Sequence, residues 1–308
     1  MKESTFLITG ADGVEIFVYR WQTEATPIGV VQIAHGMAEH AARYARLAEK
    51  LNEDGYAVYA SDLRGHGRTA KNPEDLGFFG VKNGWRLCAE DLWRVNRRIA
   101  EENPRLPIIL LGHSMGALLA RQLMRNHGQS FAAVVLSGSN GQPTPMALAG
   151  RAITRAEKLR LGARGKSKLI QSLTFDTFNK RFEPARTRFD WLSRDPAEVN
   201  KYVADPLCGF NPSVQLWIDM LDAWAAIAGD DRVSGAPRDL PIYVISGERD
   251  PVSAGTKMLT PMLEQYRKSG LTRVEHKFYP EARHELLNET NREEVTKELL
   301  EWMNRVIG

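Results

Sequence analysis

The run Ile108-Ile109-Leu110-Leu111-Gly112-His113-Ser114-Met115-Gly116-Ala117-Leu118-Leu119-Ala120-Arg121 decides the fold. Its first four residues are aliphatic, the pattern of a short strand buried on both faces. From Ala117 onward the composition is helical. Between the two stands Gly112-His113-Ser114-Met115-Gly116, a Gly-x-Ser-x-Gly set in the strand-turn-helix context that gives this motif its meaning. So sharp a turn strains the serine backbone and lifts its hydroxyl to the edge of the sheet, and glycines flank it because a Cβ there would clash. Ser114 is the candidate nucleophile.

A serine hydroxyl attacks only when a base takes its proton, and seven histidines are available. His113 adjoins Ser114 but is expected to point away from it on the turn. His35, His40 and His66 stand in loops ahead of the serine, His127 at a helix end and His276 inside a strand-like run. His284 follows the last strand, in Tyr279-Pro280-Glu281-Ala282-Arg283-His284, at the carboxyl edge where open α/β sheets bind ligands. It is the candidate base. Asp250 follows the preceding strand, in Ser246-Gly247-Glu248-Arg249-Asp250-Pro251, and is the candidate to orient the imidazole, with Glu248 as the fallback. Serine, aspartate and histidine then follow in that order, each after its own strand. Donors for a developing oxyanion are expected from the backbone N–H of Met115 and, in the loop Ala34-His35-Gly36-Met37, from that of Met37.

Outward from this centre, apolar runs alternate with helical stretches. The runs are 28–34, 56–60, 107–111, 132–136, 240–245 and 274–279; the helical stretches are 44–52, 85–102, 115–126, 256–269 and 292–306. That alternation predicts an α/β fold with a largely parallel sheet. Ahead of it, Phe6 to Thr9 and Val14 to Tyr19 flank Gly10-Ala11-Asp12-Gly13 as a hairpin. From about Asn140 to Pro237 strand runs disappear and helical sequence takes over, so the chain divides into a core of residues 1–139 and 238–308 and a helical cap, 140–237. Within the cap, Val214 to Trp224 has apolar residues at helical spacing, which suits both an acyl pocket and cap core packing. Trp217, Met220 and Leu221 are pocket candidates from that helix, and His35 and Gly36 from the core.

Composition excludes several classes. The chain of 308 residues is long enough for a sizeable core, and its 43% hydrophobic and 26% charged residues are those of an ordinary globular protein. No apolar stretch is long enough for a membrane helix or a secretory signal, and the expectation is a cytoplasmic protein. Cys88 and Cys208 lack the spacing of a zinc site or disulfide framework and read as core thiols. A net charge of +3 does not argue for nucleic acid. Between Arg151 and Asp190, however, eleven basic residues stand against four acidic ones. A solvated helix face explains such an excess, and so does peripheral contact with an anionic lipid surface.

His35-Gly36-Met37-Ala38-Glu39-His40, Asp62-Leu63-Arg64-Gly65-His66-Gly67, Gly112-His113-Ser114-Met115-Gly116 and Gly247-Glu248-Arg249-Asp250-Pro251-Val252, with His284, resemble the monoacylglycerol lipase and lysophospholipase-like branch of the α/β-hydrolases, also described as serine aminopeptidase-like. The resemblance implies an α/β-hydrolase fold, with a mostly parallel eight-stranded sheet flanked by helices and an inserted helical cap. It implies no cofactor and no metal. Ser114, Asp250 and His284 would form the triad and Met37 and Met115 the oxyanion donors of a serine carboxylic-ester hydrolase. Its substrate would be a small-molecule or lipid acyl ester: a monoacylglycerol, a lysophospholipid or a simple ester. Two other readings stand beside this one. An aminopeptidase or amidase needs a cap carboxylate for the substrate amine, for which Asp219, Asp222, Asp230 and Asp231 are candidates. A non-catalytic ligand-binding protein on the same fold would not turn over. Oligomeric state is not legible.

Overall fold

The computed structural model describes residues 1–229 and 235–308. Eight strands form one sheet: β1 (Lys2–Thr9), β2 (Glu15–Gln22), β3 (Gly29–Ala34), β4 (Tyr56–Ser61), β5 (Ile108–His113), β6 (Ala133–Ser137), β7 (Ile242–Gly247) and β8 (Val274–Tyr279). Their order is β1-β2-β4-β3-β5-β6-β7-β8. β1 and β2 pair antiparallel from Lys2 opposite Gln22 to Thr9 opposite Glu15, so the predicted hairpin is present with longer arms. β2 also meets β4 antiparallel, and every later pairing is parallel.

The central strands are buried throughout because helices cover both faces. Alternate residues serve opposite sides, as the two-residue period of a strand requires. Val31, Ile33, Ile109, Leu111 and Val135 pack with α1 (Ala45–Glu53) and α10 (Arg292–Ile307). Val30, Leu110, Val134 and Leu136 pack with α2 (Gly84–Glu102), α3 (Met115–His127) and α9 (Leu259–Lys268).

Between β6 and β7 the described residues are helical: α4 (Pro145–Leu161), α5 (Lys168–Leu173), α6 (Phe175–Asn179), α7 (Pro196–Ala204) and α8 (Val214–Ala228). Four of these begin on a side-chain cap, with Thr144, Ser167, Asp195 and Ser213 accepting from the N–H of Ala147, Ile170, Ala197 and Leu216. Each such cap is worth about 1 kcal/mol. α8 is apolar around most of its circumference because it is enclosed, with α4 on one side and α2 and α3 beneath.

Parallel strands end at one edge. The loops after β3, β5, β6, β7 and β8 therefore bring residues 35–38, Ser114, Gly138, Asp250 and His284 to the same rim, under the helices of the long β6–β7 connection. No described helix is long and apolar enough to cross a membrane.

Candidate active site

Ser114 stands between β5 and α3 at φ 54°, ψ −117°, a backbone geometry that non-glycine residues rarely adopt. A serine ahead of a helix ordinarily spends its hydroxyl capping the first turn. Here the strained backbone withdraws it: Ser114 makes no side-chain cap bond, and it lines the cavity above the sheet. The flanking glycines are required by close approach. A Cβ on Gly116 would lie 2.0 Å from the Ala34 carbonyl oxygen, and one on Gly112 would lie 2.4 Å from that of Gly116.

His284 and Asp250 are joined by a buried hydrogen bond, Nδ1 to Oδ2, of 2.9 Å. The other carboxylate oxygen of Asp250 accepts from the N–H of Val252 at 2.8 Å. An acceptor at Nδ1 selects the tautomer with its proton there, which leaves Nε2 as the basic atom of the ring. Burial disfavours the imidazolium, but the charge and hydrogen bond of Asp250, with Glu285 and Glu39 nearby, outweigh it and hold His284 above the ordinary histidine range. The adjacent His113, its ring centroid 4.8 Å away, has no carboxylate hydrogen-bonded to its ring among the described residues. Burial first, then His284, push His113 down to about 4, so it stays neutral. Two neighbouring imidazoles thus have opposed proton affinities, and the one beside the carboxylate can take a proton. Gly138, at φ 56°, makes room for both: a Cβ there would lie 3.1 Å from each ring. Glu248, the fallback acid, is exposed.

Ser114, His284, His113 and both expected oxyanion residues, Met37 and Met115, border one cavity of about 630 Å³. Among the described residues, neither the Met37 nor the Met115 N–H donates to a protein acceptor; for Met115, in the first turn of α3, this follows from helix geometry. The cavity walls are largely apolar. Trp217, Met220 and Leu221 line it, as does Gly36, while Leu216 and Ile218 of the same helix pack into the core. α8 accordingly serves the pocket and the packing at once.

His35 does not line the cavity, contrary to expectation. It is fully buried, with Nε2 accepting from the N–H of Leu63 at 2.9 Å and Nδ1–H donating to the Gly36 carbonyl at 2.8 Å. It staples two loops beneath the rim, and burial, then His66, keep it neutral. Three further residues escaped the sequence. Trp191 places its ring 5.0 Å from that of His284, Arg181 borders the cavity, and Arg43 joins two buried glutamates behind His284. Only the i, i+4 spacing of Glu39 and Arg43 was a readable signal.

Of the candidate amine-binding acids, the two that are described, Asp219 and Asp222, do not border the cavity. Asp222 pairs with Arg151 and Arg155, Asp219 lies against Gly84 at the start of α2, and Asp230 and Asp231 lie outside the described residues. Cys88 and Cys208 are free and buried. Cys208 lies with His40 and Asp205 so that one ligand atom from each falls within 4.8 Å of the others. That is one short of a four-ligand structural zinc site, and His40 already bonds Asp205 at 2.8 Å. Of the eleven basic residues between 151 and 190, Arg160, Arg186 and Arg188 pair with acids of the same stretch, whereas Arg151 and Arg155 share Asp222 and Arg164 meets Asp75, so only two carboxylates from outside offset the local excess.

Comparison with known proteins adds relatives along the whole chain. The family model for serine aminopeptidase, S33, matches residues 25–291. A monoacylglycerol lipase of Mycolicibacterium smegmatis is 29% identical over 300 residues, covering 96% of this chain and 94% of that one. A human monoglyceride lipase is 26% identical over 293 residues, covering 92% and 88%. Among solved structures, a thermostable carboxyl esterase from Bacillus coagulans superposes with a TM-score of 0.91 at 27% identity, with both chains fully covered.

Proposed function

This chain belongs to the serine aminopeptidase S33 family, and from that membership we propose that it is a monoacylglycerol lipase working through an acyl-enzyme on Ser114. At the coarser level it is a serine hydrolase of acyl esters with the α/β-hydrolase fold. One observation carries the finer reading: the buried Asp250–His284 hydrogen bond stands at an apolar cavity of about 630 Å³ that also holds the strained Ser114.

In the first half-reaction His284 Nε2 takes the Ser114 proton as Oγ attacks the ester carbonyl. The Met37 and Met115 N–H groups receive the oxyanion, and the Asp250 carboxylate steadies the imidazolium. The tetrahedral intermediate then collapses. The proton passes from His284 to the leaving glycerol oxygen, and the acyl group stays on Ser114. Water, deprotonated by the same nitrogen, attacks the acyl-enzyme, and the fatty acid leaves as Ser114 regains its proton.

Residues 140–237 act as the cap over a core of residues 1–139 and 238–308, and their α4 and α8 walls receive the acyl chain. Amine recognition is disfavoured because, among the described residues, the carboxylates that border the cavity are Glu39 and Glu285, and both are held by Arg43. Both cysteines are free, which suits a reducing cytoplasm.

Arg181 favours a second substrate, a lysophospholipid. It borders the cavity and has no anionic partner among the described residues, so it can meet a phosphate. Met146 and Leu173, which border the same cavity, are exposed, and the cap also exposes Lys166, Lys168 and Lys180, a composition suited to anionic lipid. A hydrolysis panel of monoacylglycerol, lysophospholipid, p-nitrophenyl butyrate and an aminoacyl amide decides the matter. Monoacylglycerol is expected to have the highest kcat/KM, and Arg181→Gln is expected to lower only the lysophospholipid rate. A preference for the amide would overturn the lipase reading.

A further inference from the structure

Behind His284 lies a buried ionic cluster that the proposed reaction does not use. Arg43 Nη1 donates to Glu39 Oε2 at 2.6 Å and to Glu285 Oε1 at 2.7 Å, while Nη2 donates to Glu285 Oε2 at 2.7 Å. The side chains are enclosed, at 12% exposure for Arg43, 4% for Glu39 and 7% for Glu285. Buried charges of this kind persist only when paired and fully hydrogen-bonded. Here they are: Asn288 donates to Glu285, Tyr44 donates to Glu39, and the Arg43 guanidinium stacks 4.9 Å from the Tyr202 ring centroid.

Each glutamate is attached to a different half of the site. Glu39 Oε1 accepts from the Gly36 N–H at 2.6 Å, which fixes the His35–Gly36 peptide, one unit ahead of the Met37 N–H. The same loop is held from the opposite side at Ala38, whose carbonyl accepts from Tyr202 Oη and from the Gly209 N–H while its own φ is 57°. Glu285 follows His284 in the chain, and its N–H donates to the Leu192 carbonyl at 2.8 Å. A single guanidinium therefore spans the oxyanion loop and the histidine loop, which are about 240 residues apart in sequence.

We propose that Arg43 is a positioning residue that holds the Met37 loop and the His284 loop in register and neutralises the two glutamates beside His284. This rests on the triad reading given above. The charged and titratable groups facing His284 are Asp250 from the loop after β7, Glu285 from its own loop, Glu39 from the loop after β3, and His113 from β5, which is neutral. Arg43 is the cation that answers the two glutamates. Without it, two uncompensated carboxylates would favour the imidazolium, and His284 would lose its proton only at higher pH.

The experiment compares Arg43→Gln, Arg43→Lys and Glu39→Gln, with p-nitrophenyl butyrate as substrate and thermal denaturation recorded for each. Arg43→Gln is expected to lower kcat about 10- to 100-fold with KM little changed, the scale of loss that a small misplacement of reacting groups causes. Its acidic limb should move up by about half to one pH unit. Glu39→Gln removes a negative charge and should move the limb the other way. Arg43→Lys keeps the charge but not the two-pronged fork, so it should restore the limb while kcat stays low. If Arg43→Gln does not fold, the other two variants carry the test. Unmoved limbs in the folded variants, with kcat falling only as far as the folded fraction falls, would overturn the proposal. Retained activity in Ser114→Ala would instead overturn the triad reading on which it rests.

Discussion

Replacing Asp250 by asparagine keeps the shape of the side chain and removes its charge. The hydrogen bond lost is 2.9 Å long between groups that are almost completely buried, so solvent screens little of it. At an effective dielectric constant of about 20, an imidazolium and a carboxylate whose charges are about 3 to 4 Å apart attract each other by about 4 to 6 kcal/mol. That attraction is fully present only when His284 carries the proton, so it belongs to the transition state. Its loss corresponds to about three to four decades in kcat at 1.36 kcal/mol per decade. KM should change little, because Asp250 is buried beneath the cavity and does not line it. The pH profile has a definite sign. His284 is held above the ordinary histidine range and must be neutral to act, so wild-type activity falls as the pH drops through that raised value. In Asp250→Asn the same limb should lie at lower pH, since the cation has lost its chief partner. Steady-state kinetics on p-nitrophenyl butyrate across the acidic range measures both effects. A rate within tenfold of wild type with an unmoved limb would refute Asp250 as the orienting acid.

Gly116→Ala should destabilise the fold by about 3 kcal/mol or more, because its Cβ would meet the Ala34 and His35 carbonyl oxygens at 2.0 and 2.5 Å and neither is a side chain that can swing away. The midpoint of urea unfolding reports it, and a wild-type midpoint would mean that α3 does not approach β3 so closely. Leu221→Trp should narrow the cavity and shift selectivity from monopalmitoylglycerol toward monobutyrylglycerol. Each methylene excluded from an apolar pocket costs about 0.8 kcal/mol, about fourfold in kcat/KM; unchanged chain-length selectivity would place the acyl group elsewhere.

Much of this site was legible because its parts are local. The strand-turn-helix at Ser114 announces itself within a few residues, and parallel connectivity places the loops holding Asp250 and His284 on the same edge once their strands are recognised. Helix and strand limits moved by only a few residues; β7, expected over 240–245, runs from Ile242 to Gly247. What escaped depends on long-range contact. His35 reads as a loop histidine free to meet a ligand, and only the arrival of the Leu63 N–H from the next loop shows it to be a buried staple. Glu39 and Arg43 are four residues apart, but Glu285, which completes their cluster, arrives from the far end of the chain. The basic run in the cap is answered in part by carboxylates that a local count misses: Arg151 and Arg155 meet Asp222 and Arg164 meets Asp75, while Arg160, Arg186 and Arg188 pair with acids of the same run.

The most direct measurement is covalent. Incubating the protein with a fluorophosphonate and mapping the adduct by peptide mass spectrometry should find a single modified residue, Ser114, with labelling and monoacylglycerol hydrolysis lost together in Ser114→Ala. Labelling at another residue, or hydrolysis that survives the substitution, would contradict an acyl-enzyme on Ser114.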